Sequence, residues 1–186
     1  MSDPVRIRLP VTRVRLADLT AGDEVLLSGP VFTARDATHG RLIGELASAG
    51  KLPFGLEGAT LLYAGPTPPA AGRPVGAVGP TTASRMDAAT PALLRAGVVA
   101  AIGKGARSDE VRAAFAGTGA VYFAAVGGAA ALLATHVTAS EPVAWADLGT
   151  EALVKLTLAD FPVFVAIDTR GGDVYADGRD AWRRER

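Results

Sequence analysis

The chain has 186 residues, 49% of them hydrophobic and 20% charged, so it is long enough to bury the core of a single domain. Its 19 lysines and arginines balance its 19 aspartates and glutamates, which argues against a nucleic acid or an anionic membrane as a partner. No apolar run approaches the roughly 20 residues of a membrane span, and the N-terminus lacks the layout of a signal peptide, so we expect a cytoplasmic protein.

The chain contains no cysteine, which excludes disulfides and any iron–sulfur or zinc site held by its own thiolates. The two histidines, His39 and His136, are too far apart in the sequence to share a metal-ligand spacing. We therefore expect this chain to hold no metal. If the chemistry uses a metal centre, another polypeptide supplies the cysteines.

The first part of the chain alternates between strands and helices. Residues 6–9 alternate polar and apolar side chains, as an edge strand does. Residues 23–33 form a longer strand with a Gly-Pro bulge signal. An amphipathic helix is predicted over 37–49, and a short buried strand over 60–64 leads into a proline-rich loop at 66–74.

The alternation continues after the proline-rich loop. The predicted elements are a helix at 87–96, a strand at 98–102, a helix at 109–116, a strand at 120–126 and a helix at 127–135.

The C-terminal part has a different pattern, with more strands in succession. Residues 152–158 and 163–168 are predicted to pair, and a turn leads to a final strand at 173–175. The class is α/β with mixed sheets, in which a second sheet lies beside a central parallel one. The predicted domain covers residues 1–176, and a charged, solvated tail covers 177–186.

The most distinctive stretch runs over residues 79–87 and contains Thr81, Thr82, Arg85 and Asp87. This density of polar groups is typical of a strand end that delivers side chains into a site and leads into a helix. Thr81 or Thr82 would cap that helix, and Asp87 would lie in its first turns. The alternative is a capped turn with no further function.

Other polar groups follow strands in the same way. Arg35, Asp36 and His39 follow the strand at 23–33, and Lys104, between two glycines, follows the strand at 98–102. Ligands bind at the carboxyl ends of strands in open α/β sheets. Arg35, Arg85 and Lys104 would place three cations at one rim, which suits a ligand with two carboxylates.

Each of these residues also has a structural interpretation. Arg35 could pair with Asp36 or Asp87, and the Gly-Lys-Gly turn around Lys104 could be an exposed loop. His39 could be a surface or capping histidine. The coincidence of several polar motifs at several strand ends favours a site.

Five motifs together resemble the C-terminal domain of class I iron–sulfur hydro-lyases, the oxygen-sensitive fumarate hydratases and the related L-tartrate dehydratases. The resemblance runs from about Leu9 to Tyr175. The motifs are Thr-Ala-Arg-Asp-Ala-x-His at 33–39, Gly-Pro-Thr-Thr-x-x-Arg-Met-Asp at 79–87, Ile-Gly-Lys-Gly at 102–105, Ala-Val-Gly-Gly-Ala-Ala at 125–130 and Asp-Phe-Pro-x-Phe-Val-x-x-Asp at 160–168.

The resemblance implies a swivelling β/β/α three-layer domain that acts as the β subunit of a two-chain enzyme or as the second half of a fused one. The partner α subunit would hold a four-iron four-sulfur cluster through three cysteines, in a heterotetramer of two α and two β subunits. The implied reaction is the reversible hydration of fumarate to L-malate. L-tartrate dehydration and a non-catalytic dicarboxylate-binding module are the alternatives.

The resemblance also implies roles for individual residues. Thr81 would be the base that takes a proton from carbon, and Arg35, Arg85 and Lys104 would bind the substrate carboxylates. The residues implied to support the site are His39, Asp36, Thr82 and Asp87.

Overall fold

Seven strands and six α-helices occur along residues 3–181 and 183, the residues that the computed structural model describes. The strands are β1 (Val5–Arg8), β2 (Glu24–Thr33), β3 (Thr60–Leu62), β4 (Ala100–Gly103), β5 (Val121–Ala124), β6 (Val137–Ala144) and β7 (Leu153–Ile167). The helices are α1 (Arg13–Leu16), α2 (Asp36–Ala49), α3 (Thr90–Arg95), α4 (Asp109–Thr118), α5 (Ala130–Ala134) and α6 (Val174–Ala181), and two 3₁₀ helices cover Ala83–Met86 and Ala146–Glu151. Within this described part, no helix is both long and apolar enough to cross a bilayer.

All seven strands belong to one mixed sheet in the order β1-β2-β3-β4-β5-β7-β6, in which β1 to β5 are parallel. β2 also pairs with β7, in antiparallel orientation, along its whole length. β1 and β3 share the other edge of β2, where they pair with residues 25–28 and 32–33. The pairings β2–β3–β4–β5–β7–β2 therefore close a ring. The structure confirms the α/β class, but the predicted second sheet is not a separate one.

The apolar core has two parts, because successive residues of a strand point to opposite faces of the sheet. Ile102 and Phe123 belong to a part that is formed mostly by strand residues. Their neighbours Ala101 and Tyr122 belong to a second part, together with apolar residues of α2, α3 and α4. The helix-covered part lies beneath the carboxyl ends of β3 and β4, where the predicted site residues lie.

Most predictions for the first two thirds of the chain are confirmed. The strand predicted over 23–33 is β2; a bulge does occur beside Gly29, but its extra residue belongs to β7 and not to β2, where it was predicted. The helix predicted over 37–49 is α2, which ends at Gly50 in the left-handed conformation. The segments predicted at 6–9, 60–64, 98–102, 109–116 and 120–126 overlap β1, β3, β4, α4 and β5.

Two helices are shorter than predicted. In the segment 87–96, α3 begins only at Thr90, with Pro91 in its first turn, where a missing N–H costs no hydrogen bond. The preceding 3₁₀ helix follows Thr82, whose side chain makes no capping hydrogen bond, so the predicted threonine cap is wrong. In the segment 127–135, Gly128 has a φ of 84°, so α5 begins after it, at Ala130.

The strand pair predicted at 152–158 and 163–168 is wrong, because both segments belong to the single strand β7. Their junction is a bulge at which Ala159 and Asp160 lie opposite Ser28. Asp160 has a φ of 49° and its N–H donates to the Ser28 hydroxyl at 2.9 Å. The outer neighbour of β7 is β6, an edge strand that the sequence did not indicate.

The final strand predicted at 173–175 is also wrong. Asp173 forms a single bridge with Ile167, and α6 begins at the next residue. The Asp173 carboxylate accepts the N–H of Tyr175 at 2.8 Å, which satisfies a donor at this helix start. Residues 177–181 of the predicted tail lie in α6, and residues 182 and 184–186 lie outside the described residues. The division at residue 176 stays a prediction.

Candidate functional site

Arg35 immediately precedes α2, and its guanidinium lies over Gly65. A Cβ atom at Gly65 would come within 3.2 Å of Arg35 Nη1 and 2.7 Å of the Thr150 carbonyl oxygen, so only glycine fits there. Arg35 Nη2 is 3.4 Å from Glu151 Oε1, and Nε is 4.0 Å from Asp36 Oδ2. Nε is buried and has no hydrogen-bond partner among the described residues. Arg35 is thus held in place by two carboxylates, and its Nε–H is not used in a hydrogen bond to any described residue.

Arg85 lies in the 3₁₀ helix at Ala83–Met86 and forms a two-point ion pair with Asp36. Its Nε donates to Asp36 Oδ1 at 2.9 Å, and its Nη2 is 2.9 Å from Oδ2. The side chains of Arg85 and Asp36 are 48% and 36% exposed. One carboxylate therefore links Arg35 and Arg85. We call Arg35, Asp36, Arg85 and Glu151 the rim.

Thr81 and Lys104 lie on neighbouring segments beyond β3 and β4. The N–H of Thr81 donates to the Tyr63 carbonyl at 2.7 Å, and the N–H of Lys104 donates to the Thr81 carbonyl at 3.2 Å. Thr82 forms a parallel bridge with Lys104. The Lys104 side chain runs beside Gly127, where a Cβ atom would lie 3.3 Å from Lys104 Cδ. A hydroxyl-bearing residue and a cationic one are thus joined through their backbones.

The Lys104 ammonium has no carboxylate within 4.0 Å in the part of the chain that the structure describes. β2, β3 and β4 are parallel neighbours, so their carboxyl ends lie along one edge of the sheet. That edge carries both the rim and the Thr81–Lys104 pair. The structure records no direct side-chain bond between these two groups of described residues. A cavity of about 310 Å³, lined in part by Pro66 and Pro68 of the proline-rich loop, contains none of the predicted site residues.

His39 is buried, so its interpretation as a surface histidine is wrong. Its Nδ1 is 2.9 Å from the Arg35 carbonyl oxygen, which can only accept, so Nδ1 carries the proton. Burial lowers the pKa of His39 to about 4, against the opposing effect of this hydrogen bond. The neutral ring packs edge-on against Tyr63, with centroids 5.1 Å apart. His39 thus holds the backbone of Arg35 through this hydrogen bond.

Asp87 faces Arg107, a residue that sequence analysis did not single out, and this excludes the predicted pairing of Asp87 with Arg35. Arg107 Nε donates to Asp87 Oδ1 at 2.7 Å, and Nη2 donates to the Thr90 hydroxyl at 2.7 Å. The N–H of Ser108 donates to Asp87 Oδ2 at 2.9 Å. Both carboxylate oxygens of Asp87 are therefore occupied by the segment that follows Lys104.

The Arg107 side chain is fully buried, with an exposed fraction of 0%. Its guanidinium carbon lies 5.1 Å, 5.4 Å and 5.8 Å from the ring centroids of Tyr122, Tyr63 and Phe115. Burial lowers the pKa of Arg107, but the combined effect of Tyr63 and Asp87 raises it by more. The net shift is upward, and the group stays charged. We call Arg107, Asp87, Thr90, Tyr63 and Tyr122 the buried cluster.

Among residues 3–181 and 183, no group of three or more histidine, aspartate or glutamate side chains is arranged to hold a metal ion. The functional groups of this edge are therefore cations, hydroxyls and the carboxylates that pair with them. Such a set can bind an anionic ligand and move a proton.

Comparison with known proteins gives a consistent match. The family model described as Fumarase C-terminus matches residues 1–178. The chain is 37% identical over 164 residues to "Fumarate hydratase class I, anaerobic" of Escherichia coli (strain K12), covering 87% of this chain and 30% of that protein. It is 33% identical over 176 residues to "Fumarate hydratase 2" of Leishmania major, covering 92% and 31%.

A third relative matches along nearly its whole length. The chain is 36% identical over 173 residues to "Putative L(+)-tartrate dehydratase subunit beta" of Methanocaldococcus jannaschii, covering 90% of this chain and 89% of that protein. By contrast, the chain spans only 30% and 31% of the length of the two fumarate hydratases.

Proposed function

The chain belongs to the Fumarase C-terminus family, and on this basis we propose that it is the β subunit of a cytoplasmic iron–sulfur hydro-lyase that reversibly hydrates fumarate to L-malate. Its ring of strands would be the core of the swivelling β/β/α three-layer domain that the resemblance implies. The rim and the Thr81–Lys104 pair would face the substrate.

The residues of this chain do not fit an iron–sulfur cluster, because it has no cysteine and no described cluster of other metal ligands. We therefore assign the four-iron four-sulfur cluster to a cysteine-bearing α subunit, in a heterotetramer of two α and two β subunits. The relative that matches along most of its length is itself named as a subunit beta, which supports a separate partner.

The observation that carries the proposal is the unneutralised Lys104 beside Thr81. A threonine hydroxyl is a poor base on its own, and a nearby cation favours the deprotonated oxygen that could accept a proton from carbon. Lys104 is bonded through its backbone to Thr81 and has no carboxylate partner among the described residues. Thr81 keeps the role of base that the resemblance implies, and Lys104 would stabilise charge there.

The rim would hold the carboxylates of the substrate. Guanidinium groups match carboxylates in two-point geometry, and Arg85 already contacts both oxygens of the Asp36 carboxylate, through a hydrogen bond to Oδ1 and an ion contact to Oδ2. A substrate carboxylate could take the place of Asp36 and accept a hydrogen bond from Arg35 Nε, which is buried beside Asp36 without a hydrogen-bond partner in the described part of the chain. Asp36 would then keep the two guanidinium groups oriented in the absence of substrate, and His39 would hold the Arg35 backbone.

The test is anaerobic turnover by the assembled complex. The chain is co-expressed with its cysteine-bearing partner, the cluster is rebuilt, and ultraviolet absorbance follows the dehydration of L-malate. Thr81→Val should lower kcat by roughly 10²- to 10⁴-fold, the usual contribution of a proton-transferring group, while the complex stays assembled. Ser84→Ala, which removes an exposed hydroxyl three residues away, should leave kcat unchanged. Malate turnover that survives Thr81→Val would contradict the assignment.

L-tartrate, tested in parallel, addresses a second candidate. The relative that matches this chain along 89% of its length is named as a tartrate dehydratase subunit, which favours this substrate. Turnover of tartrate alone would move the assignment to tartrate dehydration with the same residue roles. A complex with an intact cluster that binds dicarboxylates, turns over neither substrate and binds unchanged in Thr81→Val would indicate a binding module.

A further inference from the structure

The ion pair between Arg107 and Asp87 joins the two chain segments that carry the proposed site residues. Asp87 directly follows the 3₁₀ helix that contains Arg85, and Arg107 lies three residues after Lys104. Arg107 Nε and the Ser108 N–H each donate to one oxygen of the Asp87 carboxylate, at 2.7 Å and 2.9 Å. The position of one segment is therefore tied to that of the other by two hydrogen bonds beneath the site.

Two tyrosines whose rings flank the Arg107 guanidinium also bond to the backbone of the two segments. The Tyr122 hydroxyl donates to the Gly105 carbonyl at 3.0 Å, and its pKa is raised by burial, so it stays a donor. The Tyr63 carbonyl accepts the N–H of Thr81 at 2.7 Å. Tyr122 thus fixes the turn after Lys104 through its side-chain hydroxyl, and Tyr63 holds Thr81 through its backbone carbonyl.

The packing between the two segments leaves little room for adjustment. A Cβ atom at Gly103 would lie 3.0 Å from both Tyr63 Cδ2 and Ala83 Cβ, and 3.3 Å from the Tyr122 hydroxyl oxygen. The N–H of Ala83 donates to the Lys104 carbonyl at 2.9 Å. A shift of the Arg107 guanidinium would therefore displace the rings, and the rings would displace the turn of Lys104.

We propose that Arg107 and Asp87 are positioning residues whose ion pair fixes the Lys104 turn relative to the segment that carries Thr81 and Arg85. The roles of Thr81, Arg85 and Lys104 rest on the proposed function. The coupling between the two segments does not depend on it. Lysine cannot replace Arg107, since one guanidinium donates to Asp87 and Thr90 and contacts three rings at once. Asparagine at position 87 would keep the shape and remove the charge.

The first experiment measures amide hydrogen exchange by NMR in the full chain, with no activity needed. In Arg107→Lys and in Asp87→Asn, the amides of Lys104 and Ala83, which bridge the two segments, should exchange about tenfold faster or more, as expected for a lost charge-assisted hydrogen bond. The amides of Leu9 and Val165, bonded on the other side of the sheet, should keep their rates.

Two matched variants serve as controls. Arg112 and Asp109 form an exposed ion pair at 3.0 Å in the same region of the chain, so Arg112→Lys and Asp109→Asn change the same chemistry at the surface. They should leave the exchange of Lys104 and Ala83 unchanged. If the exchange rates in Arg107→Lys and Asp87→Asn rise equally at all amides, the ion pair only stabilises the fold. If they rise at no amide, the ion pair does not couple the two segments. Either result overturns the proposal.

The second experiment uses the assembled complex. Arg107→Lys should lower kcat/KM about 30-fold, through both kcat and KM, because misplacing Lys104 affects proton transfer and substrate binding together. An active wild-type complex whose kcat/KM is unaffected by Arg107→Lys overturns the proposal. A wild-type complex without turnover overturns the proposed function instead, and the exchange rates still decide whether the pair couples the segments.

Discussion

Two arginine–aspartate pairs of similar geometry lie in very different surroundings. Arg85 and Asp36 meet at 2.9 Å on the rim, with side chains 48% and 36% exposed. Arg107 and Asp87 meet at 2.7 Å in the buried cluster, with side chains 0% and 19% exposed. The chemistry of the two pairs is the same, so any difference in their roles must come from their access to water.

The solvent exposure of each ion pair determines how easily another group can replace one of its partners. On the rim, solvent screens the attraction between the charges, and another anion can compete for the guanidinium at small cost. In the buried cluster, Arg107 left alone would be a fully buried charge, and Asp87 left alone would be a largely buried one that keeps, among the described residues, only the Ser108 N–H as a partner. We therefore expect the two pairs to have different roles. The arginines of the rim can exchange Asp36 for another carboxylate, whereas the buried cluster fixes the relative position of the two chain segments.

The largest effect is expected from breaking the buried pair. Arg107→Met should lower the free energy of unfolding by about 3–5 kcal/mol, because it leaves the Asp87 carboxylate without its charged partner. Urea denaturation of the full chain measures this change. Arg112→Met, which removes the exposed partner of Asp109, should cost less than about 1 kcal/mol. Equal losses in the two variants would show that burial does not distinguish the pairs.

A smaller, pH-dependent effect is expected from His39, which connects the two regions. Its Nδ1–H donates to the Arg35 carbonyl on the rim, and its ring packs on Tyr63 of the buried cluster. In the unfolded chain this group takes up a proton near its ordinary pKa of 6.5, but in the folded chain only near 4. Between these values the unfolded state binds more protons, so stability is lost as the pH falls.

The pH experiment compares wild type with His39→Gln. The free energy of unfolding of the wild type should fall by up to about 3 kcal/mol more than that of His39→Gln between pH 7 and pH 4. A slope that is the same in His39→Gln and wild type would mean that His39 is not kept neutral by burial.

The parts of the fold that local signals determine could be predicted from the sequence. Apolar runs and the glycine at position 50 were sufficient for β2, α2, β3, β4, α4 and β5, whereas α1 was not predicted. β6 could not be predicted, because residues 138–142 are all exposed and show no apolar alternation. β7 was divided in two because Asp160 and Pro162 are typical of a turn, whereas the bulge opposite Ser28 accommodates them within one strand.

The rim and the buried cluster also differed in how far the sequence could predict them. Arg35 and Lys104 were singled out because each follows a strand, a local feature of the sequence, and Arg85 because of the polar residues around it; their roles in a site stay predictions. Arg107 could not be singled out, since an arginine before a helix is usually exposed. Its burial depends on rings contributed by β5, α4 and the end of β3, and only tertiary packing brings these together.

The smallest change in stability is expected on the rim, together with a clear change in activity. Arg85→Gln should alter the free energy of unfolding by less than about 1 kcal/mol, because its ion pair with Asp36 is half exposed. In the assembled complex it should lower kcat/KM about 30-fold, the effect of losing one charged hydrogen bond to a substrate carboxylate. Denaturation of the full chain and turnover of L-malate are measured on the same preparations.

The exposed pair of Arg41 and Asp147 provides the matched control for this variant, since both its side chains are also partly solvated. Arg41→Gln should change stability as little as Arg85→Gln does and should leave kcat/KM at the wild-type value. If Arg85→Gln destabilises the chain as much as Arg107→Met, the rim pair is a structural pair like the buried one, and access to water does not separate their roles. If Arg85→Gln and Arg41→Gln both leave turnover intact, Arg85 does not bind the substrate, and carboxylate binding must be assigned to Arg35 and Lys104.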